Sequence, residues 1–519
     1  MNPASSIGRT VKAKLFSALG IVLAFSLILS ACSGKSSNGE PLPTSRTFNP
    51  TVKTEFEIDD WAWADRADQV ISPDGKYALL ILNNESGQSV AVTPIGGEEH
   101  APVALYSSPM GSVDGLYYRT LGWTEAGKAL FAAFGYQNQG PNTGKRGISV
   151  LSGDIVEGTA TELAFVDLPE GQLHTAEYIP ERGKVYLTMT GAVWAYDLNE
   201  NRLSQIRVGL PTYDGLFYAR ISPDGNHFVY ELLEDGKSGV YILEASSGVE
   251  KPLLPNGDTM SFIPQWSPDG KYVAAYTVDR KAGETGTARA DYAFFPGEDG
   301  PLTIAPKITV MDTSGNVVCS VSLDGKVLSN FRWSNDSKSL VFVSGEATMD
   351  SATYMDMGMP CIPWDGVWTV SATGNELPVR LAALEPPASD EPSFIYPLAF
   401  DADNKSVYYQ FSQGESLWVA LAKSGAGAST ETPLHSTKIA DGYWHFQSEN
   451  PVFGEYTAAL ITTGQVTDLW FLKSSELRKM DSWGTITTVI LGYNDDLLLL
   501  FRKGEEGPAT LTVVSVFDE

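Results

Sequence analysis

The sequence predicts an all-β fold: a single β-propeller built from four-stranded antiparallel blades. Three observations predict it. A tight-turn motif recurs along the chain, each copy leads into apolar β-rich runs, and the copies stand about 40–70 residues apart, the length of one blade.

The motif is plainest in three places. Ile71-Ser72-Pro73-Asp74-Gly75-Lys76-Tyr77 recurs from Ile221 as Ile-Ser-Pro-Asp-Gly-Asn-His and from Trp266 as Trp-Ser-Pro-Asp-Gly-Lys-Tyr. Weaker copies begin at Trp123, Ile179, Trp333 and Phe400. The physics of each copy is the same. A hydrophobic residue ends one strand; Pro presets φ, Asp bonds back to the backbone, and Gly takes a positive φ at low cost. Strand-forming runs follow: YALLIL, FVYELL, YVAAYTV, SLVFVSG and SVYYQF. After a variable gap comes a second set, including SVAVTPI, GISVLSG, GVYILEA and KITVMDT. A Gly or Asn turn and a more polar fourth strand complete most units.

Two degenerate units follow the seven anchors, one around Phe446 and one around Tyr493. Known propellers mostly hold four to eight blades. Eight blades are therefore expected, within a range of seven to nine, and the unit around Phe446 is the weakest because it lacks the turn chemistry. The C-terminal run TLTVVSVF ends as a third strand, so TVKTEFEI near residue 51 is expected to supply the fourth and tie the ring shut.

These repeats resemble the WD40-like repeats of TolB-like proteins and of the propeller in prolyl oligopeptidase-type peptidases. The resemblance covers nearly all of residues 55–519. It is specific to fold and weak on function, because one fold hosts many activities. TolB-like proteins carry a separate N-terminal α/β domain, for which this chain has no room. The peptidases carry a Gly-x-Ser-x-Gly elbow, and no such pentapeptide occurs here.

The N-terminus has its own character. Arg9, Lys12 and Lys14 precede the apolar run from Leu15 to Leu29, and small residues follow, the pattern of a secretory signal. Leu29-Ser30-Ala31-Cys32 resembles the lipobox of bacterial lipoproteins. That resemblance implies removal of residues 1–31 and lipidation of Cys32. The run is shorter than the roughly 20 residues a spanning helix prefers. Residues 32–50, rich in Ser, Gly and Pro after Cys32, read as a flexible tether, and 51–519 as the propeller. The expected location is extracytoplasmic, lipid-anchored to the bacterial cell membrane or the outer membrane.

The net charge of −27 falls to −30 without residues 1–31, which hold three basic residues and no acidic one. Such a body repels nucleic acid and anionic headgroups. Its expected partners are the membrane, through lipid alone, and an envelope protein or peptide. The bland reading of the acidity is solubility after export, and it is the stronger one. No cofactor is expected.

With strands labelled A to D from the centre outward, the family's layout makes the Ser-Pro-Asp-Gly turn the A–B connection. The long insertions 134–146, 279–306 and 346–365 then join B to C and open together on the opposite face. Long loops on a rigid scaffold are the usual carriers of binding. Candidate partner-binding residues are Tyr136 in the first insertion, Arg289, Asp291, Tyr292, Phe294 and Phe295 in the second, and Tyr354 and Trp364 in the third. Interface cores favour such aromatics and Arg; the competing reading is that they pin the loops to the ring.

The third insertion also carries Met355, Met357, Met359 and Cys361, soft ligands that suit Cu(I). Adaptable packing by methionine is the stronger reading of that run. Cys319 and Cys361 allow one disulfide pairing in an exported chain. The five histidines are scattered. Asp74, Asp224 and Asp269 sit at a fixed place in a repeated turn and are expected to serve it structurally. Asp401-Ala402-Asp403-Asn404 reads as another A–B turn rather than a calcium loop. No catalytic residue stands out. The leading expectation is a binding or scaffolding module. The alternatives are a hydrolase or lyase with a central-pore site, and a carbohydrate or soft-metal binder.

Overall fold

A computed structural model describes residues 46–518, apart from 59–60, 86, 97–100, 110–115, 211–218, 235–236, 255–258, 280–305, 347–363, 375, 384–394, 402–403, 414–415, 424–431, 439–450, 464–465, 474–475, 481–486 and 505–506. The chain divides into two units, one spanning 49–516 and a small one whose described residues are 46–48 and 517–518.

The large unit is a β-propeller. Among the described residues its strands form nine four-stranded sheets. Eight are made of four consecutive strands: blades 1 to 8 cover 61–109, 117–167, 173–208, 220–252, 259–321, 326–383, 395–438 and 452–479. The ninth joins Thr487–Tyr493, Leu497–Lys503 and Ala509–Phe517 to the N-terminal strand Phe48–Ile58. The count is thus eight contiguous blades and a terminal one, at the top of the expected range. The terminal strand closes the ring as its sequence implied, and it starts at Phe48, inside the stretch read as tether. Blade 8, the weakest unit in sequence, is a complete sheet of Val452–Phe453, Tyr456–Thr463, Val466–Lys473 and Glu476–Lys479.

Inner strands are apolar on both sides because neighbouring blades cover both of their faces. Ala78 to Leu82 of blade 1 and Ala129 to Ala133 of blade 2 are all buried. Each such Leu or Phe contributes about 1.5–3 kcal/mol by leaving water. Outer strands read differently. Arg202–Val208, strand D of blade 3, is largely polar and exposed, which protects an unpaired edge from further pairing. Apolar clusters bridge successive blades, and one joins blade 9 to blade 1 through Leu497, Leu499 and Phe501 against Val70, Ile71 and Leu80.

The repeated motif forms the A–B turn, as its residues predict. Ser72, Ser222, Ser267 and Ser334 are buried at equivalent positions. Each hydroxyl donates to the Asp two residues on and accepts from the backbone N–H five residues on. Gly270 closes its turn at φ 69°, a left-handed value that explains the glycine. Asp401 and Asn404 form the same kind of turn before Ser406–Gln413. The A–B turns mark one face of the propeller, the turn face. The ends of strands B and the starts of strands C, with the connection 137–145 of blade 2, mark the other, the insertion face.

In the small unit, the Asp518 N–H donates to the Thr47 carbonyl at 3.0 Å, and Phe48 and Phe517 meet edge-on at 6.0 Å. Among the described residues no helix is long and apolar enough to cross a membrane.

Candidate functional site

Two regions offer chemistry. The first is the insertion face at blades 1 and 2. Tyr136 ends strand B of blade 2, Tyr117 begins its strand A, and Trp61 begins strand A of blade 1, so all three reach the insertion face. Their exposures are 66 % for Tyr117, 51 % for Trp61 and 44 % for Tyr136. Tyr117 stacks on Phe134 at 6.5 Å, and the Arg146 guanidinium covers the same ring at 4.9 Å. Trp61 rests on Phe501 of blade 9 at 5.2 Å.

The connection beside these rings is fixed in place. The buried Gln137 amide donates to the carbonyls of Gly135 and Gly147 at 3.2 and 3.3 Å, and its Oε1 accepts from the Tyr106 hydroxyl at 3.3 Å. Asn138 donates to the Ser107 carbonyl at 2.9 Å, and Asn142 to Glu162 at 2.6 Å. Arg146 donates to the carbonyls of Leu168 and Gly171, both at 2.7 Å. The aromatics therefore stand on a preformed support, which lowers the entropy lost on binding.

Of the residues singled out in sequence, Tyr136 is placed on this face. Trp364 opens strand Trp364–Ser371. Cys32, Arg289, Asp291, Tyr292, Phe294, Phe295, Tyr354, Met355, Met357, Met359 and Cys361 lie outside the described residues. Cys319 is a free thiol buried among Val310, Val321 and Ala372, and burial pushes its pKa up. Among the described residues no group of three or more His, Cys, Asp or Glu is placed to hold a metal.

The second region is the central channel, a cavity of about 1030 Å³. Its wall is made from the ends of strands A and the first residues of the A–B turns, so it lies toward the turn face. Asp65 bridges two blades there: it accepts from Arg119 at 2.7 Å and from the Thr120 N–H at 2.8 Å. Arg66 pairs with Asp68 at 2.7 Å. Glu177 lines the same wall; burial raises its pKa, against the pull of Arg220, Arg66 and the Ile221 N–H. Arg220 supplies its carbonyl to the Trp266 indole N–H at 3.0 Å and lines the wall. Burial lowers the pKa of Arg332 and pushes Tyr276 up to about 12.

Ile263 stands out in that wall. It is β-branched, it holds φ at 53°, and it remains 44 % exposed to the channel. That backbone region is costly for such a residue, by about 1–3 kcal/mol, and strain of this kind clusters at functional sites. A register shift between Phe262 and Gln265 produces it, and blade 6 repeats the device between Ser329 and Arg332, with Asn330 at φ 51°.

Sequence reading missed Trp61, Tyr117 and the channel arginines. The signal for the arginines was present: Arg220, Gln265 and Arg332 each directly precede the hydrophobic anchor of a turn. Aligning the repeats on that anchor would have shown a position that faces the hub.

No family model matches the chain, and no curated protein matches it. Likenesses to solved structures are distant. The chain is similar to an oligogalacturonate lyase in complex with manganese, at 11 % identity over 77 % of this chain and 96 % of that one, with a TM-score of 0.39. It is similar to a putative dipeptidyl aminopeptidase IV from Bacteroides ovatus, at 13 % identity over 78 % of this chain and 60 % of that one, TM-score 0.45. An acylaminoacyl peptidase from Pyrococcus horikoshii matches at 13 % identity and TM-score 0.35; the alignment spans 67 % of this chain and about half, 52 %, of the peptidase.

Proposed function

We propose that this chain is a lipid-anchored, extracytoplasmic binding module whose insertion face takes an envelope protein or peptide. One observation carries the reading: three well-exposed aromatics, Trp61, Tyr117 and Tyr136, share that face on adjacent blades beside a rigid connection. Rigid aromatic anchors dominate the energetics of protein interfaces. The insertion residues Arg289, Asp291, Tyr292, Phe294, Phe295 and Tyr354, with Trp364 at the start of the strand that follows, extend the surface in this reading. Cys32 is its lipidated residue.

A photo-crosslinking residue placed at Tyr117 or Tyr136 in intact cells is expected to capture a discrete partner, and one at Val156 on the turn face is not. Equal capture from both faces would count against the insertion face. Cys32→Ala is expected to release the protein from the membrane fraction; unchanged fractionation removes the anchor from the proposal. A second reading, a propeller hydrolase or lyase with its site in the central pore, is favoured by the desolvated Glu177 carboxyl beside Arg66 and Arg220.

A further inference from the structure

Binding on the insertion face leaves the turn face unassigned. Strands alternate in direction within each blade, so the C–D turns open on the turn face beside the A–B turns. Those C–D turns carry aliphatic side chains into solvent. Val249, Val317 and Leu377 stand at the close of the C–D turn in three consecutive blades, 4, 5 and 6, and Val156 stands in that of blade 2. Each is more than half exposed. The fold does not ask for them, because blade 3 makes the same turn with the exposed polar residues Asn199, Glu200 and Asn201. A single exposed aliphatic is ordinary surface; a set at one place in neighbouring blades gives the face an apolar rim.

The N-terminal strand enters the ring at this same face. Thr47 lies beside Asp518 and Glu55 beside Thr512, and Asn49 accepts from Arg478 at 3.2 Å, at the turn-face end of strand D in blade 8. Residues 33–47 separate Cys32 from Phe48. A Ser-, Gly- and Pro-rich segment of about 15 residues has an r.m.s. span of roughly 20 Å. Strands B of blades 1 and 2 are eight residues long, so the ring is about 27 Å deep from face to face. A lipid on Cys32 therefore keeps the turn face near the bilayer, and laying the insertion face there would stretch the segment past its natural span. Blades 4 and 5 lie farthest around the ring from blade 9, so the rim and the entering strand hold the face at two separated places.

The net negative charge is compensated at the A–B turns of this face. Lys76, Lys271 and Lys338 pair with Asp74, Asp269 and Asp336 at 3.5, 3.0 and 3.7 Å. A few exposed Val and Leu would not hold a free protein on a bilayer. In an anchored one, marginal contacts suffice, because the tether sets a high effective concentration of the surface.

We propose that the turn face rests on the lipid surface, with Val156, Val249, Val317 and Leu377 entering the headgroup region, and that the insertion face is thereby turned outward to its partner. This rests on the lipid-anchor reading of Cys32 and goes beyond it: the anchor limits the distance, and the entering strand and the rim set the orientation.

Lipid crosslinking of the full chain in intact cells tests it. A diazirine-bearing residue is placed singly at Val156, Leu377 or Tyr117, and phospholipid adducts are read by mass spectrometry. Adducts are expected to be several-fold more abundant at Val156 and Leu377 than at Tyr117. Combining Val249→Ser, Val317→Ser and Leu377→Ser changes only exposed side chains. The combination is expected to lower adducts at Val156 several-fold while the protein stays in the membrane fraction. Three results overturn the orientation and leave the anchor standing: adducts at Tyr117 that equal or exceed those on the turn face, no adduct at any position of a membrane-bound protein, or unchanged adducts at Val156 in the triple variant. Fractionation unaltered by Cys32→Ala removes the anchor instead, and with it the orientation argued from the tether.

Discussion

Asp74, Asp224, Asp269 and Asp336 each accept a hydrogen bond from the serine two residues upstream, at 2.7, 2.6, 2.8 and 2.7 Å. At Asp74 the Ser72 hydroxyl is the main cause of a lowered pKa. At the other three, burial works to raise it, and hydrogen bonds from the serine and the backbone overcome it. The sign follows. A carboxylate whose folded pKa lies below its unfolded value of about 3.9 stabilises the fold above that pH. The contribution is lost as pH falls through the folded value. Replacing all four by Asn, which still accepts the serine hydrogen bond, is expected to flatten the fall in stability between about pH 4 and pH 2, read from urea midpoints across pH. A parallel fall in variant and parent would refute the assignment. These aspartates were legible in sequence because a turn announces itself locally. Arg220 and Arg332 hold a repeated place just before a turn anchor, but only the assembled ring brings them into one channel wall.

At the scale of elements, strands and their connections divide the same way. Turn residues and β-rich runs placed the B and C strands of most blades, and TLTVVSVF with TVKTEFEI anticipated the shared terminal blade. The connection was legible as the insertion 134–146, with Tyr136 a candidate binding residue. Its rigidity was not, since that rests on Gln137, whose partners Tyr106 and Gly147 lie 31 and 10 residues away. Trp61 and Tyr117 begin A strands that no turn motif introduces, so nothing in the local pattern marked them. Gln137→Ala removes buried partners from carbonyls and from the Tyr106 hydroxyl, and is expected to cost about 1–3 kcal/mol in denaturant unfolding. Crosslinking from Tyr136 should weaken with it if the support positions the ring.

The whole molecule is a ring whose last blade depends on both ends of the chain. Glu55 of the N-terminal strand pairs with Arg502 at 3.1 Å and accepts from Thr512 at 3.2 Å, and Ile58 is buried in the cluster that joins blade 9 to blade 1. Deleting residues 48–58 opens the outer edge of that blade. It is expected to lower unfolding stability by about 3 kcal/mol or more, the order of two large apolar side chains exposed. Limited proteolysis should then cut first within 487–517. Persistence of the parent's unfolding midpoint would mean that the remaining three strands close the ring unaided.

The terminal strand has a mechanical consequence. Thr47 and Phe48 lie beside Asp518 and Phe517 while Glu55 lies beside Thr512, so the N-terminal strand runs antiparallel to strand Ala509–Phe517, and its first residues lie at the turn face. A pull on the N-terminus directed out of that face runs along the strand axis and loads all the rungs of the ladder together, in shear. A sideways pull opens them one at a time, like a zipper. The clasp that closes the ring therefore has a strong and a weak direction, and a force-spectroscopy trace from the N-terminus should depend on the angle at which it is drawn.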